Sequence, residues 1–197
     1  MTGNNNFKKE IFLTFDDGPS EKFTPKILET LKEKNIKATF FVCGKNVQRC
    51  PEILKENVKE GHKIGIHSFS HKRSFLINYK KEIEQTGEII FKTVGIKTNL
   101  FRAPWGICPF YIKKYLREKN YSEIFWTIDS KDWRGWEAKK IVKNIIKKIN
   151  SSQREREIIL FHDGKECDIN FDRSQTVFAL KDLIEEFLKR GYSFSSF

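Results

Sequence analysis

Two adjacent carboxylates, Asp16 and Asp17, close a short apolar run and are followed by Gly18-Pro19. Two imidazoles, His67 and His71, stand four residues apart, a spacing that puts both on one face if the segment turns helically. Neutral imidazoles suit zinc and other divalent transition metals, and Asp17 could add a carboxylate to make a two-His, one-carboxylate site with open positions. Adjacent aspartates at the end of an apolar strand repel unless a cation or metal lies beside them. A division of roles relieves this: Asp17 binds the metal, and Asp16 takes a proton from metal-bound water, whose pKa the metal lowers toward ~7. The bland readings are turn chemistry for Asp16-Asp17-Gly18-Pro19 and two surface side chains on a loop for His67 and His71. Against them, three of the chain's four histidines lie at strand ends. His62, the exception, reads as structural.

The elements that must position these groups alternate. Strands are expected at Ile11 to Phe15, Thr39 to Val42, Lys63 to His67, Thr98 to Arg102, Ile124 to Ile128, Glu157 to Phe161 and Tyr192 to Ser195. Helices are expected from Thr24, with Pro25 in its first turn, and over Glu52 to Lys59, Tyr79 to Thr93, Pro109 to Lys119, Ala138 to Asn150 and Gln175 to Arg190. Repeated strand-helix alternation argues for an α/β fold with a largely parallel sheet, and about seven strands suit a distorted, TIM-like (β/α) barrel. A doubly wound open sheet satisfies the same pattern. In either case the reactive residues fall at the carboxyl ends of strands, where such folds carry their sites. Asp16 and Asp17 follow the first strand, His67 and His71 the third, Arg102 the fourth, Asp129 and Asp132 the fifth, and His162 and Asp163 the sixth.

Composition bounds the rest. The 197 residues are 39% hydrophobic with 18 Phe, which argues for one folded domain over 11–197 behind a polar extension at 1–10. No apolar run is long enough to span a membrane. Met1 to Lys9 lacks the apolar stretch of a signal peptide, so an extracellular or cell-wall location requires a trimmed leader and a cytoplasmic one does not. The formal net charge of +11 would attract a polyanion, but its lysines are spread as solvated helix faces and form no dense basic tail. Nucleic-acid binding has no support beyond this charge. The four cysteines, Cys43, Cys50, Cys108 and Cys167, form no C-x-x-C pair, which argues against a cysteine zinc site. Reduced thiols are expected, with a Cys43–Cys50 disulfide left open.

Together these residues resemble the polysaccharide deacetylases that share the NodB homology domain, carbohydrate esterase family 4. The resemblance runs from about Ile11 to Phe194 through five motifs in order: Thr14-Phe15-Asp16-Asp17-Gly18-Pro19, His67-Ser68-Phe69-Ser70-His71, Arg102-Ala103-Pro104-Trp105-Gly106, Asp129-Ser130-Lys131-Asp132-Trp133 and Leu160-Phe161-His162-Asp163. It implies a barrel with fewer than eight full units. It implies Asp17, His67 and His71 as ligands of zinc, or of cobalt or nickel in some members. It further implies Asp16 as catalytic base with Arg102 beside it, and His162 as the acid that protonates the departing amine, paired with Asp132. Trp133 and Leu160 would wall a pocket for the acetyl methyl, and the Trp105 backbone N–H would stabilise the oxyanion.

The implied reaction is N-deacetylation of peptidoglycan or chitin-like N-acetylglucosamine polymers by a monomer. O-deacetylation of acetyl-xylan and carbohydrate binding without turnover are the alternatives. Three stretches depart from the family pattern. Trp105 stands where many relatives carry Tyr. Lys63 and Ile66 stand where Glu and Asn are common. Gly164 to Phe171, with Lys165, Glu166 and Asp168, is expected to shape the substrate groove, and Asp172-Arg173-Ser174-Gln175-Thr176 to begin the last helix.

Overall fold

A computed structural model describes residues 9–165 and 171–197. Most of the polar extension, together with Glu166, Cys167 and Asp168, lies outside the described residues. The described residues form eight short strands: β1 (Glu10–Asp16), β2 (Thr39–Val42), β3 (Lys63–Ile66), β4 (Leu100–Phe101), β5 (Ser122–Glu123), β6 (Ile128–Asp129), β7 (Arg156–His162) and β8 (Ser193–Ser195). The helices are α1 (Thr24–Glu33), α2 (Gly44–Arg49), α3 (Pro51–Lys59), α4 (Phe75–Val94), α5 (Phe110–Glu118), α6 (Ala138–Ser151) and α7 (Ser174–Lys189).

All strand pairs are parallel, in the order β5-β4-β3-β2-β1-β7-β6. Read as a ring, this order is sequential, with one break between β5 and β6. A doubly wound sheet would reverse direction at its middle; the sequential order instead curls the sheet into a distorted (β/α) barrel. One edge of β1 pairs with β7 along its whole length, while the other edge is shared between β8 at Glu10–Phe12 and β2 at Thr14–Asp16.

The expected strand over Ile124 to Ile128 is not one strand. The chain leaves β4 and reaches β7 across this stretch: Ile124 N–H donates to Phe101 O, whereas Thr127 N–H donates to Ile158 O. Between them the Ile124 carbonyl accepts from Arg102 Nε at 3.0 Å. A segment that changes partner cannot hold one ladder, so β5 ends before this stretch, β6 takes only its last residue, and the residues between them span the break in the barrel. Two helical features also differ by more than one residue. α2 was not anticipated, being a single short stretch with little apolar periodicity. α4 begins at Phe75, a buried core residue, four positions before the expected start.

Period-two alternation sorts the strands into two faces. Leu13, Phe15, Phe40, Ile64, Ile66, Ile159 and Phe161 belong to one continuous core with the helices. Phe15 stacks on Phe40 at 4.8 Å and on Phe161 at 5.7 Å. From α6 and α7, Ile141, Ile145, Ile149, Leu180, Leu183 and Phe187 complete it. The alternate positions, Thr14, Asp16, Phe41, Leu160 and His162, face the barrel interior. Gly65, in register with Phe41, leaves the space there that the Phe41 ring fills, since a Cβ at Gly65 would collide with it. The strand pattern thus puts aliphatic and aromatic bulk under the helices and reactive groups inside.

Candidate active site

Asp16 ends β1 and is 2% exposed. Its Oδ1 accepts from Arg102 Nη1 at 2.8 Å, and the same nitrogen donates to Thr14 Oγ1 at 2.8 Å. Arg102 is fully buried and sits over the Phe41 ring at 4.2 Å. Burial pushes the Asp16 carboxyl above the usual carboxylate range, and the Arg102 guanidinium pulls back against it. A carboxylate in such a place is oriented by Arg102 and is a stronger proton acceptor than an exposed aspartate.

Asp17, His67 and His71 place one ligand atom each within 4.8 Å of one another, all three residues buried. Asp17 Oδ1 lies 3.5 Å from His67 Nε2 and 3.4 Å from His71 Nε2. His67 Nδ1 is 2.9 Å from the Arg102 carbonyl. A carbonyl only accepts, so the ring proton resides on Nδ1 and a bare Nε2 lone pair faces Asp17. Burial drives His67 down to about 3, with the neighbouring His71 and Arg102 charges adding to it. Protonating His67 is therefore a poor way to relieve the clash of lone pairs. Asp17 Oδ1 itself accepts no hydrogen bond. Two imidazole nitrogens converging on an orphaned buried carboxylate oxygen fit a divalent transition metal, and the donor set suits zinc or a similar ion.

The two histidines meet by a route other than the helical turn that their spacing suggested. They lie on a loop between β3 and α4, with Ser68 at φ 103° and His71 at φ 50°. Asp17 and Trp105 are also left-handed, at φ 74° and 56°. Non-glycine residues reach this region at a cost of about 1–3 kcal/mol each, and they persist where surrounding bonds over-determine them. Those bonds are present. Asn46 Nδ2 donates to the Asp17 carbonyl at 2.6 Å, and His71 N–H donates to Ser68 Oγ at 3.0 Å.

His162 ends β7, in register with Asp16. Its Nδ1 lies 2.8 Å from Asp132 Oδ1, and its backbone N–H donates to Asp132 Oδ2 at 2.8 Å. Thr176 Oγ1, in the first turn of α7, donates to the same Oδ2 at 3.0 Å. Burial alone would discharge the His162 imidazole, but the Asp132 carboxylate outweighs it and lifts the group to about 9. Asp132, which burial would raise, is held below the ordinary carboxylate range by that same pairing.

These groups open onto one cavity of about 390 Å³, within the range of small-ligand sites. Asp16, Asp17, His67, His71 and His162 line it, as do Trp105, Trp133 and Leu160. Leu160 is buried at the floor, while Trp133 and Trp105 stand 45% and 41% exposed at the rim. The Trp105 ring meets His71 edge-on at 4.7 Å. Arg102 and Asp132 stand behind Asp16 and His162. His62 lies apart, buried, its Nδ1 accepting from Ala38 N–H at 3.2 Å. Cys43, Cys50 and Cys108 are thiols, with no disulfide between Cys43 and Cys50.

Trp126 and Arg173 also line the cavity and had no role assigned from sequence. Trp126 was hidden inside an expected strand, and Arg173 inside an expected helix start. Lys165, expected in the groove-shaping stretch, lies on the cavity wall as well. Thr176, Asn46 and Glu82 support the site from helices. For Glu82 a signal existed: it falls beside Ile83 and Thr86 on the buried face of α4, where an acidic residue needs donors.

The family model described as polysaccharide deacetylase matches residues 3–124. Two relatives from Bacillus cereus are peptidoglycan-N-acetylglucosamine deacetylases. One is 35% identical over 195 residues, covering 96% of this chain and 86% of its own length. The other is 40% identical over 142 residues, covering 71% of this chain but 52% of its own length, so this chain spans about half of that relative. The solved Bc1960 peptidoglycan N-acetylglucosamine deacetylase, in complex with 4-naphthalen-1-yl-N-oxidanyl-benzamide, superposes with a TM-score of 0.87 at 34% identity over 96% of this chain and 87% of its own. The chain belongs to the polysaccharide deacetylase family.

Proposed function

We propose that this protein hydrolyses the acetamido group of N-acetylglucosamine residues in a polysaccharide, with peptidoglycan as the favoured polymer. One observation carries the reading: a carboxylate held by Arg102 and an imidazole held by Asp132 line one cavity with a buried Asp17, His67 and His71 cluster. Amide hydrolysis needs a base for the attacking water and an acid for the departing nitrogen, and these two pairs offer one of each.

Asp17, His67 and His71 would hold the metal, with zinc the best match to the donors and cobalt or nickel as substitutes. When bound, the ion supplies Lewis-acid polarisation and a more acidic water. Asp16 accepts the proton of the attacking water, and Arg102 keeps its carboxylate ionised and aimed. His162 gives its Nε2 proton to the nitrogen as the C–N bond breaks, while Asp132 keeps Nδ1 occupied and the imidazolium charged. The Trp105 N–H is assigned to the developing oxyanion, and Leu160 with Trp133 to the acetyl methyl. An alkoxide leaves far more readily than an amine anion, so a paired acid such as His162 matters more for an amide than for acetyl-xylan esters. The two relatives named for peptidoglycan N-acetylglucosamine support that polymer over chitin.

The test is acetate release from peptidoglycan, N-acetylglucosamine hexamer and acetyl-xylan by chelator-treated protein, before and after adding zinc or cobalt. Metal-dependent release from the first two is expected. Release from acetyl-xylan alone would replace the amide reading with the ester one. No release from any of the three by folded, zinc-bound protein would leave carbohydrate binding without turnover.

A further inference from the structure

The loop that carries both histidines of the candidate metal centre is gripped from two sides. On one side it bonds to the start of α2: Gly44 N–H donates to Ser68 O and Lys45 N–H to Phe69 O, each at 3.0 Å. On the other side stands a single carboxylate from the second turn of α4. Glu82 Oε2 accepts from Phe69 N–H at 2.9 Å and from Ser70 N–H at 2.7 Å, and Glu82 Oε1 accepts from Ser70 Oγ at 2.6 Å. Glu82 is 9% exposed. All three of its donors come from the residues between His67 and His71. Both ends of that stretch, Ser68 and His71, hold left-handed backbone. Without an acceptor there, one buried and one part-buried N–H group would be unpaired and the loop would relax toward ordinary φ values, swinging His71 relative to His67.

We infer that Glu82 is a positioning residue for the metal centre: it holds the His67–His71 loop in the one conformation that brings both imidazoles to Asp17. The inference rests on the reading of Asp17, His67 and His71 as metal ligands. Glu82 touches neither the metal position nor the cavity, so its effect is on affinity and ligand geometry. The role also accounts for an acidic side chain on the buried face of a long helix, where Ile83, Thr86 and Ile90 are its companions.

The experiment measures zinc affinity by competition with a chromophoric chelator and records the visible absorption of the cobalt-substituted protein. It compares wild type with Glu82→Met, Glu82→Gln and Ser70→Ala. Methionine keeps the volume and the helix propensity but accepts none of the three bonds, and zinc affinity should fall roughly 10–100-fold with altered cobalt bands. Glutamine should recover most of the loss, because its amide oxygen can take both N–H groups and its NH₂ can donate to Ser70 Oγ. Ser70→Ala, which removes one bond of the three, should weaken zinc about two- to tenfold. Folded Glu82→Met with wild-type affinity and spectrum would overturn the inference. If Glu82→Met does not fold, Ser70→Ala decides, and wild-type affinity in that variant overturns it equally. Failure of the wild-type protein to bind zinc or cobalt would remove the metal centre itself, a result separate from any difference among variants.

Discussion

At the residue scale the two pairs, Asp16–Arg102 and His162–Asp132, perturb their reactive members in the same direction for opposite reasons. Asp16 rises because burial outweighs its cation. His162 rises because its anion outweighs burial. Asp16→Asn removes the base and leaves the three candidate ligands intact. Acetate release should then fall by about 10²–10⁴-fold, the usual worth of a general base, with zinc affinity within a few-fold of wild type. Full activity in that variant would sink the mechanism. The pH profile follows from His162. It must be protonated to donate, so activity should hold to about pH 8 and decline as pH rises through about 9. In Asp132→Asn the anion is gone and burial remains, so the descending limb should move to lower pH while the maximal rate drops. A kcat–pH series for both proteins reads this, and an unmoved limb would mean that another group sets it.

At the element scale the site depends on how closely strands approach inside the barrel. Gly65 of β3 gives up its side chain so that Phe41 of β2 can lie flat under Arg102. In Gly65→Ala the new Cβ meets the Phe41 ring and the Leu100 Cβ, and neither is the loose end of a flexible chain. Overpacking of this kind costs typically about 1–3 kcal/mol. The melting temperature should fall by roughly 2–4 °C for each kcal/mol in a domain of this size, as read by circular dichroism. Activity per folded molecule should fall too, since Phe41 supports the guanidinium that holds Asp16. A stable, fully active Gly65→Ala protein would mean that the barrel interior is looser than these contacts require.

At the scale of the whole molecule, the core and the candidate metal centre are built from different residues. The hydrophobic core runs through the strands' outer faces and the helices, and none of its members is a candidate ligand. Chelation should therefore abolish acetate release and leave the far-UV spectrum unchanged. Saturating zinc at about 100 times its Kd adds about 2.7 kcal/mol, so the metal-free protein should melt roughly 5–10 °C lower but still cooperatively. Loss of secondary structure on chelation would show the centre to be structural as well.

Much of this was legible in the chain because of how parallel sheets are built. Each strand-helix unit returns to the same edge, so reactive residues at successive strand ends must converge, whatever their separation in sequence. Asp16, His67, Arg102, Asp132 and His162 could be grouped on that ground alone. Their motifs then named the family. Tertiary structure decided what local pattern cannot encode. The His67–His71 spacing suggested a helical turn, yet the loop is held left-handed by Ser68, by the start of α2 and by a carboxylate eleven or more residues away on α4. The apolar run Ile124 to Ile128 suggested one strand, yet its backbone changes partner midway and gives a carbonyl to Arg102. Thr176 reads as an ordinary helix residue and Asn46 carries no signal at all until packing brings them to Asp132 and Asp17. Sequence specifies periodicity and residue chemistry, which are properties of neighbours along the chain. The partner of a buried polar group is chosen by which surfaces meet, and that depends on every element packing at once.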